Sequence, residues 1–118
     1  MCYIIIIRKN LVDIKISIIF IVAALLEVAG DAIIRKGLKF NSITQIAFGF
    51  VLLGCYGLIV NMVKWDFSKL LGVYIAVFAM ISILAGALYF KETIPLSTWV
   101  GLGIITVGGL VIQFKVFG

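Results

Sequence analysis

The sequence contains no histidine and only two cysteines among its 118 residues. The commonest proton shuttle and metal ligand of proteins is therefore missing. Cys2 and Cys55 lie far apart, which fits neither a disulfide framework nor the ligand spacing of a metal site. The sequence shows no nucleophile beside a base and no phosphate-binding loop. We therefore expect no enzyme activity, no cofactor and no bound metal.

Charge is also scarce, with 13% charged residues against 64% hydrophobic ones. A soluble domain carries about 25% charged residues, and a disordered chain combines low hydrophobicity with high charge. Both classes are excluded, so most of these side chains must lie in lipid. The apolar runs are continuous and do not alternate with polar residues, which argues against a transmembrane β-barrel.

Length then limits the architecture, because a helix needs about 20 apolar residues to cross the hydrocarbon core. The sequence predicts an all-α integral membrane protein, a single four-helix transmembrane bundle over residues 1–118. Breaks in the apolar runs place its spans at about residues 16–34, 43–63, 70–90 and 96–114. Residues 1–13 are too short and too interrupted to cross, and their basic residues follow the apolar stretch, unlike those of a cleavable signal. We expect this part to be an interfacial N-terminal segment.

The basic residues are divided almost evenly between the two ends of such a bundle. The end with the termini holds Arg8, Lys9, Lys15, Lys64, Lys69 and Lys115, and the other end holds Arg35, Lys36, Lys39 and Lys91. This distribution favours cytoplasmic termini only slightly and permits insertion in both orientations. Basic side chains at helix ends extend toward anionic headgroups, so the net charge of +5 does not indicate nucleic-acid binding. We expect a multi-pass protein of the cell (plasma) membrane, with the lipid bilayer as its surroundings.

Two acidic residues, Glu27 and Asp31, lie inside the first span. They are four residues apart and project from one face of the helix. A carboxylate in hydrocarbon is costly, so such residues usually face a bundle interior or a wet cavity and mark the path of an ion or substrate. Glu27 is the deeper of the two. For Asp31 the alternative is an end-of-helix ion pair with Arg35, which would have no function.

Other candidate residues lie in the remaining spans. Tyr56 and Tyr74 are deep enough either to line a binding cavity or to pack without a function. Trp65, at the end of the second span, is typical of an interfacial aromatic belt. The glycines of the fourth span, at positions 101, 108 and 109, permit close helix packing, either within one subunit or between two.

Two segments resemble a known family, the small multidrug resistance transporters. Residues 26–35, with an acid followed eight positions later by a basic residue, resemble the first span of those proteins. Residues 101–112 resemble the glycine-punctuated helix through which they dimerise. The resemblance extends over all four spans and implies an EamA-like subunit of the drug/metabolite transporter superfamily. It implies an antiparallel homodimer of dual topology, with proton and substrate binding in turn at Glu27 and dimer packing at Gly101, Gly108 and Gly109.

The third span departs from that family, which has a tyrosine, a tryptophan three residues later and then closely spaced glycines. Here Tyr74 is followed by Val77 and Phe78, and Ala79 and Ile81 occupy the region of the glycines. Asp31 stands where the family usually has a small uncharged residue.

We therefore expect a proton-coupled exporter of cationic or amphipathic small molecules. Its site would comprise Glu27, Asp31, Tyr74 and Tyr56, and its partners would be protons, the substrate and a second copy of the chain. A flippase or accessory subunit for a lipid-linked cargo is the first alternative. A structural membrane protein, in which Glu27 only seals helix contacts, is the second.

Overall fold

The structure is a computed structural model that describes residues 2–114 and 117, apart from the side chains of residues 2, 6–10, 12 and 13. Its elements are the helices α1 (Cys2–Lys39), α2 (Ile43–Asn61), α3 (Phe67–Leu88) and α4 (Leu96–Phe114). All four are long and apolar enough to cross a membrane. The prediction of an all-helical, multi-pass membrane protein is thereby confirmed.

Helix α1 is much longer than its membrane-crossing part. It comprises 38 residues, of which Ile14–Lys39 form the apolar stretch. Residues 2–13, expected as an interfacial segment, continue into the first span without a break. At about 1.5 Å per residue, the 19 to 26 residues of the four apolar stretches measure about 28 to 39 Å, which matches a hydrocarbon core of about 30 Å.

Helix α1 also holds the fold together. It packs against α2 on one side and α3 on the other, and α3 in turn packs against α4. The order in space is therefore α2, α1, α3, α4. Within the described residues, the backbones of α2 and α3 do not pack side by side. Side chains on α1 that face α3 consequently occupy the middle of the molecule.

Glycines set the close approach of α1 and α2. The Cβ of an alanine at Gly49 would lie 2.9 Å from the carbonyl oxygen of Gly30, and one at Gly37 would lie 2.9 Å from Ile46. Hydrogen atoms at these three positions let the two backbones meet, as is common between helices in lipid. A short turn at Asn41 (φ 53°) then connects the antiparallel pair.

The buried hydrophobic residues cluster toward the end of the molecule that carries the α2–α3 connection. They are Phe20, Ala23, Ala24, Val60, Val63, Leu70, Val73 and Tyr74. Most other large apolar side chains of α2 and α4 are exposed, as expected for surfaces in contact with lipid. The core therefore lies against the middle of α1, and the candidate site adjoins it.

Candidate functional site

Glu27 lies halfway along the membrane-crossing part of α1 and faces α3. The hydroxyl group of Tyr74 donates a hydrogen bond to Oε2 of Glu27 over 2.6 Å. This distance is typical of a hydroxyl that donates to a carboxylate. Tyr74 is itself only 3% exposed, so the core fixes the donor in place. The α1–α3 contact thus holds an ionisable group at mid-membrane with one hydrogen-bond donor.

Aromatic rings surround this donor. Tyr56 of α2 stacks on Tyr74 with ring centroids 5.6 Å apart, and Phe78 stacks at 6.3 Å. Phe20 of α1 meets Tyr74 edge to face at 5.7 Å and meets Trp65 in the same way at 5.6 Å. We call these five residues the aromatic cluster. It brings side chains of α1, α2 and α3 together around the tyrosine bound to Glu27.

Helical spacing explains why these residues meet. Phe20 and Glu27 are seven residues apart, which is about two turns, so both project from one face of α1. Tyr74 and Phe78 are four residues apart and share a face of α3. The packing of these two faces creates the site. Tyr56 completes it from α2 by reaching across the gap between the α2 and α3 backbones.

Asp31 lies one turn beyond Glu27 on α1 and is exposed. It lines a cavity of about 260 Å³ between α1 and α3, together with Arg35, Ser82 and Glu92. Among the described side chains, Asp31 and Arg35 form no ion pair. The guanidinium of Arg35 instead lies 6.0 Å from the centroid of the Phe90 ring. The end-of-helix ion pair considered for Asp31 is therefore not formed.

A larger apolar cavity of about 350 Å³ opens between α1, α3 and α4. Phe20 and Trp65 line it from the aromatic cluster, and Thr106 and Gln113 of α4 supply polar groups. Glu27 does not line it, but Phe20 contacts both this cavity and the tyrosine bound to Glu27. The cavity has the character needed for the apolar part of an amphipathic molecule.

Three of the site residues expected from the sequence, Glu27, Tyr56 and Tyr74, are in mutual proximity in the structure. Asp31 lies one turn away. Phe20, Trp65 and Phe78 were not expected at the site. Helical spacing from Glu27 and Tyr74 would have identified Phe20 and Phe78. Trp65 lies in the connection between α2 and α3, and helical periodicity does not predict the path of such a connection.

The glycines of α4 divide into two groups. At Gly109 an added Cβ would lie 2.9 Å from the Cβ of Ala76, so this glycine serves the α3–α4 contact within the chain. At Gly101 and Gly108 an added Cβ would meet nothing within 4 Å. These two are seven residues apart and share one outward face of α4.

The chemistry available at the site is that of a carboxylate and aromatic rings. In the described part of the chain, no group of three His, Cys, Asp or Glu side chains is placed to hold a metal ion. A carboxylate in a largely apolar setting binds a proton or a cation, and ring faces attract cations.

The sequence matches no protein-family model, no curated protein and no solved structure.

Proposed function

We propose that this chain is a small proton-coupled transporter of the cell membrane that exports cationic or amphipathic small molecules. One observation carries the proposal. The Glu27 carboxylate lies at the middle of a membrane-crossing helix, 2.6 Å from the hydroxyl of Tyr74 and beside stacked aromatic rings. In this proposal Glu27 binds a proton and the substrate in turn.

The cost of charge in the membrane supports this role. An ionised carboxylate at mid-membrane requires a counter-charge or a proton. The described residues near Glu27 supply a hydroxyl donor and aromatic rings but no lysine or arginine in ion-pair contact. The two ways to neutralise Glu27 are then a proton and a cationic ligand. Because both occupy the same group, they compete, and competition for one site couples the flow of one to the opposite flow of the other.

The family resemblance supports the same proposal. The first and fourth spans resemble those of the small multidrug resistance transporters, in which the glutamate of the first span binds proton and substrate. Where that family has a tryptophan three residues after a tyrosine, Phe78 stacks on Tyr74 one position further along. We infer that Phe78 supplies the second ring for a flat or aryl-substituted cation.

An antiparallel homodimer is part of the proposal. The four helices stand in the order α2, α1, α3, α4. Four helices of this length enclose little volume, so a path for substrate requires walls from a second subunit. Gly101 and Gly108 leave two open positions without a side chain on the outward face of α4, where another helix could pack closely. The even distribution of basic residues at the two ends suits insertion in both orientations. Rocking of one subunit against the other would expose a midplane site to each side in turn.

The test is proton release from the purified protein in lightly buffered detergent when tetraphenylphosphonium or a guanidinium compound is added. Wild type should release protons on binding, and Glu27→Gln should release none while keeping its helical circular dichroism. Asp66→Asn is the matched control, because it removes an exposed carboxylate outside the helices. No release from wild type with either cation between about pH 6 and 9 would overturn the proposal.

A further inference from the structure

A second polar cavity lies at the end of the molecule opposite the buried core. The end of α1, the start of α2 and the segment after α3 surround a space of about 480 Å³. Its lining includes Arg35, Lys36, Lys39, Gln45, Tyr89 and Glu92. We call this space the edge pocket. None of the transport chemistry at Glu27 uses it.

Positive charge dominates the edge pocket. Lys39 lies three residues after Lys36 and four after Arg35 at the end of α1, so it is a surface neighbour of both. Among the described side chains, no carboxylate forms an ion pair with any of the three. Glu92, the single acid in the lining, turns toward Gly86, where even a methyl group would collide with its carboxylate. Three neighbouring cations without a bound counter-charge repel one another, and an anion between them would relieve that repulsion.

The pocket also contains an unused hydrogen-bonding group. The side-chain Oε1 of Gln45 is buried and has no hydrogen-bond partner. Rotation of this amide about its terminal torsion would place the NH₂ group there as a donor. The guanidinium of Arg35 lies 6.0 Å from the centroid of the Phe90 ring, and the ammonium of Lys39 lies 5.8 Å from that of Phe40. Both rings also line the cavity, so these contacts keep the two charged groups beside it. The pocket thus combines three cationic side chains with one amide whose buried oxygen has no hydrogen-bond partner.

The position of the pocket identifies the anion. Lys39 ends the membrane-crossing stretch of α1 and Leu88 ends α3, so the pocket lies at the level of the lipid headgroups. Apolar side chains beside it are open to lipid, with Ile43 82% and Leu88 77% exposed. Basic pockets between helices on the cytoplasmic side bind phosphate headgroups, and the even distribution of basic residues permits an orientation that places the edge pocket on that side. We propose that the edge pocket binds a phosphate group, supplied by an anionic phospholipid whose acyl chains lie along the outer faces of α2 and α3.

This site is independent of the transport proposal, because it uses other side chains at a different depth. Arg35 lies eight residues beyond Glu27 on α1, which is about 12 Å along the helix. A failure to bind lipid would therefore leave the Glu27 chemistry untouched, and a failure to release protons would leave the lipid site untouched.

The experiment measures lipid binding to the full chain in a neutral detergent. Dioleoyl phosphatidylglycerol, dioleoyl phosphatidylcholine and inorganic phosphate are added separately, and the thermal unfolding midpoint and the lipid retained in native mass spectrometry are recorded. The test variant is Lys36→Gln/Lys39→Gln. The matched control, Lys15→Gln/Lys64→Gln, removes the same charge at the opposite end of the molecule. Lys36→Arg/Lys39→Arg tests whether restored charge restores binding.

Phosphatidylglycerol, but not phosphatidylcholine, should raise the midpoint of wild type and of the Lys15/Lys64 control. The Lys36/Lys39 glutamine variant should bind it roughly tenfold or more weakly, since each basic residue near a headgroup contributes to attraction. The arginine variant should recover binding. If inorganic phosphate raises the midpoint of wild type but not that of the glutamine variant, and phosphatidylglycerol has no effect, the pocket binds free phosphate. The assignment of a phospholipid as its ligand would then be wrong. Equal phosphatidylglycerol binding by all variants, or none by wild type, would overturn the site.

Discussion

Helix α1 carries two polar regions that differ in almost every physical respect. Glu27 lies at mid-membrane, is bonded to the buried Tyr74 and is surrounded by rings. Arg35, Lys36 and Lys39 lie at the membrane edge, around an open pocket. A mid-membrane site favours a group that a proton can neutralise, because permanent charge there is too costly. The edge tolerates permanent charge, because water and headgroups solvate it. Depth in the membrane thus decides which chemistry each region supports.

Replacing a charged side chain by a neutral one should abolish cation uptake in the mid-membrane region and leave it unchanged at the edge. The largest effect on uptake is expected at Glu27. Glu27→Gln should reduce pH-gradient-driven uptake of a tetraphenylphosphonium-like cation into proteoliposomes to the level of protein-free liposomes. The amide keeps the shape and the hydrogen-bonding capacity but cannot exchange a proton. Lys36→Gln should retain uptake. Equal loss in both variants would show that the regions do not have separate roles.

Removal of one oxygen at Tyr74 should have the next largest effect. Tyr74→Phe keeps the ring contacts and deletes the donor to Glu27, and a hydrogen bond to a charged group contributes about 1.5 to 3 kcal/mol. We expect the apparent affinity for the cation to change by about tenfold or more. Tyr89→Phe is the matched control at the edge, where the tyrosine is 69% exposed. The measurement is a fluorescence or calorimetric titration. Unchanged affinity in Tyr74→Phe would show that the Tyr74 hydroxyl does not contribute to cation binding.

The fold was largely predictable, because continuous apolar runs determine the number of helices in lipid. The start of helix α1 was not predicted correctly. Arg8 and Lys9 interrupt a membrane span, but they do not interrupt a helix, since both residues have good helix propensity. Helix α1 therefore continues back to Cys2, beyond the predicted start of the first span at residue 16.

The site was predictable only in part. Spacing along one helix places Glu27 and Asp31 on one face, but it cannot say which side chain of another helix faces them. The bond from Tyr74 to Glu27 joins residues 47 positions apart and depends on how α1 and α3 pack. The edge pocket is harder to predict from the sequence than the Glu27 site, because three separate segments of the chain form it.

The rings should contribute less than the hydroxyl. Tyr56→Leu removes the stack on Tyr74 but leaves the bond to Glu27 in place. An aromatic pair adds about 0.5 to 1.5 kcal/mol beyond buried area, so affinity for an aryl cation should fall by about two- to tenfold. Phe48→Leu is the control, since this ring is also on α2 but is 56% exposed. An equal loss in Phe48→Leu would indicate a general effect on α2 and not a role for the stack.

Asp31 lies between the two regions and should give the smallest effect. It is one turn from Glu27, about 6 Å along the helix, but it is exposed to a cavity that shares Arg35 and Glu92 with the edge pocket. A charge at that distance, screened by water, contributes about 0.5 to 1 kcal/mol. Asp31→Asn should therefore weaken cation binding by only about two- to fivefold and leave proton release intact. Loss of release as complete as in Glu27→Gln would mean that the two carboxylates share the exchanged proton. The mid-membrane site would then extend one turn toward the edge, and Arg35 would mark its limit.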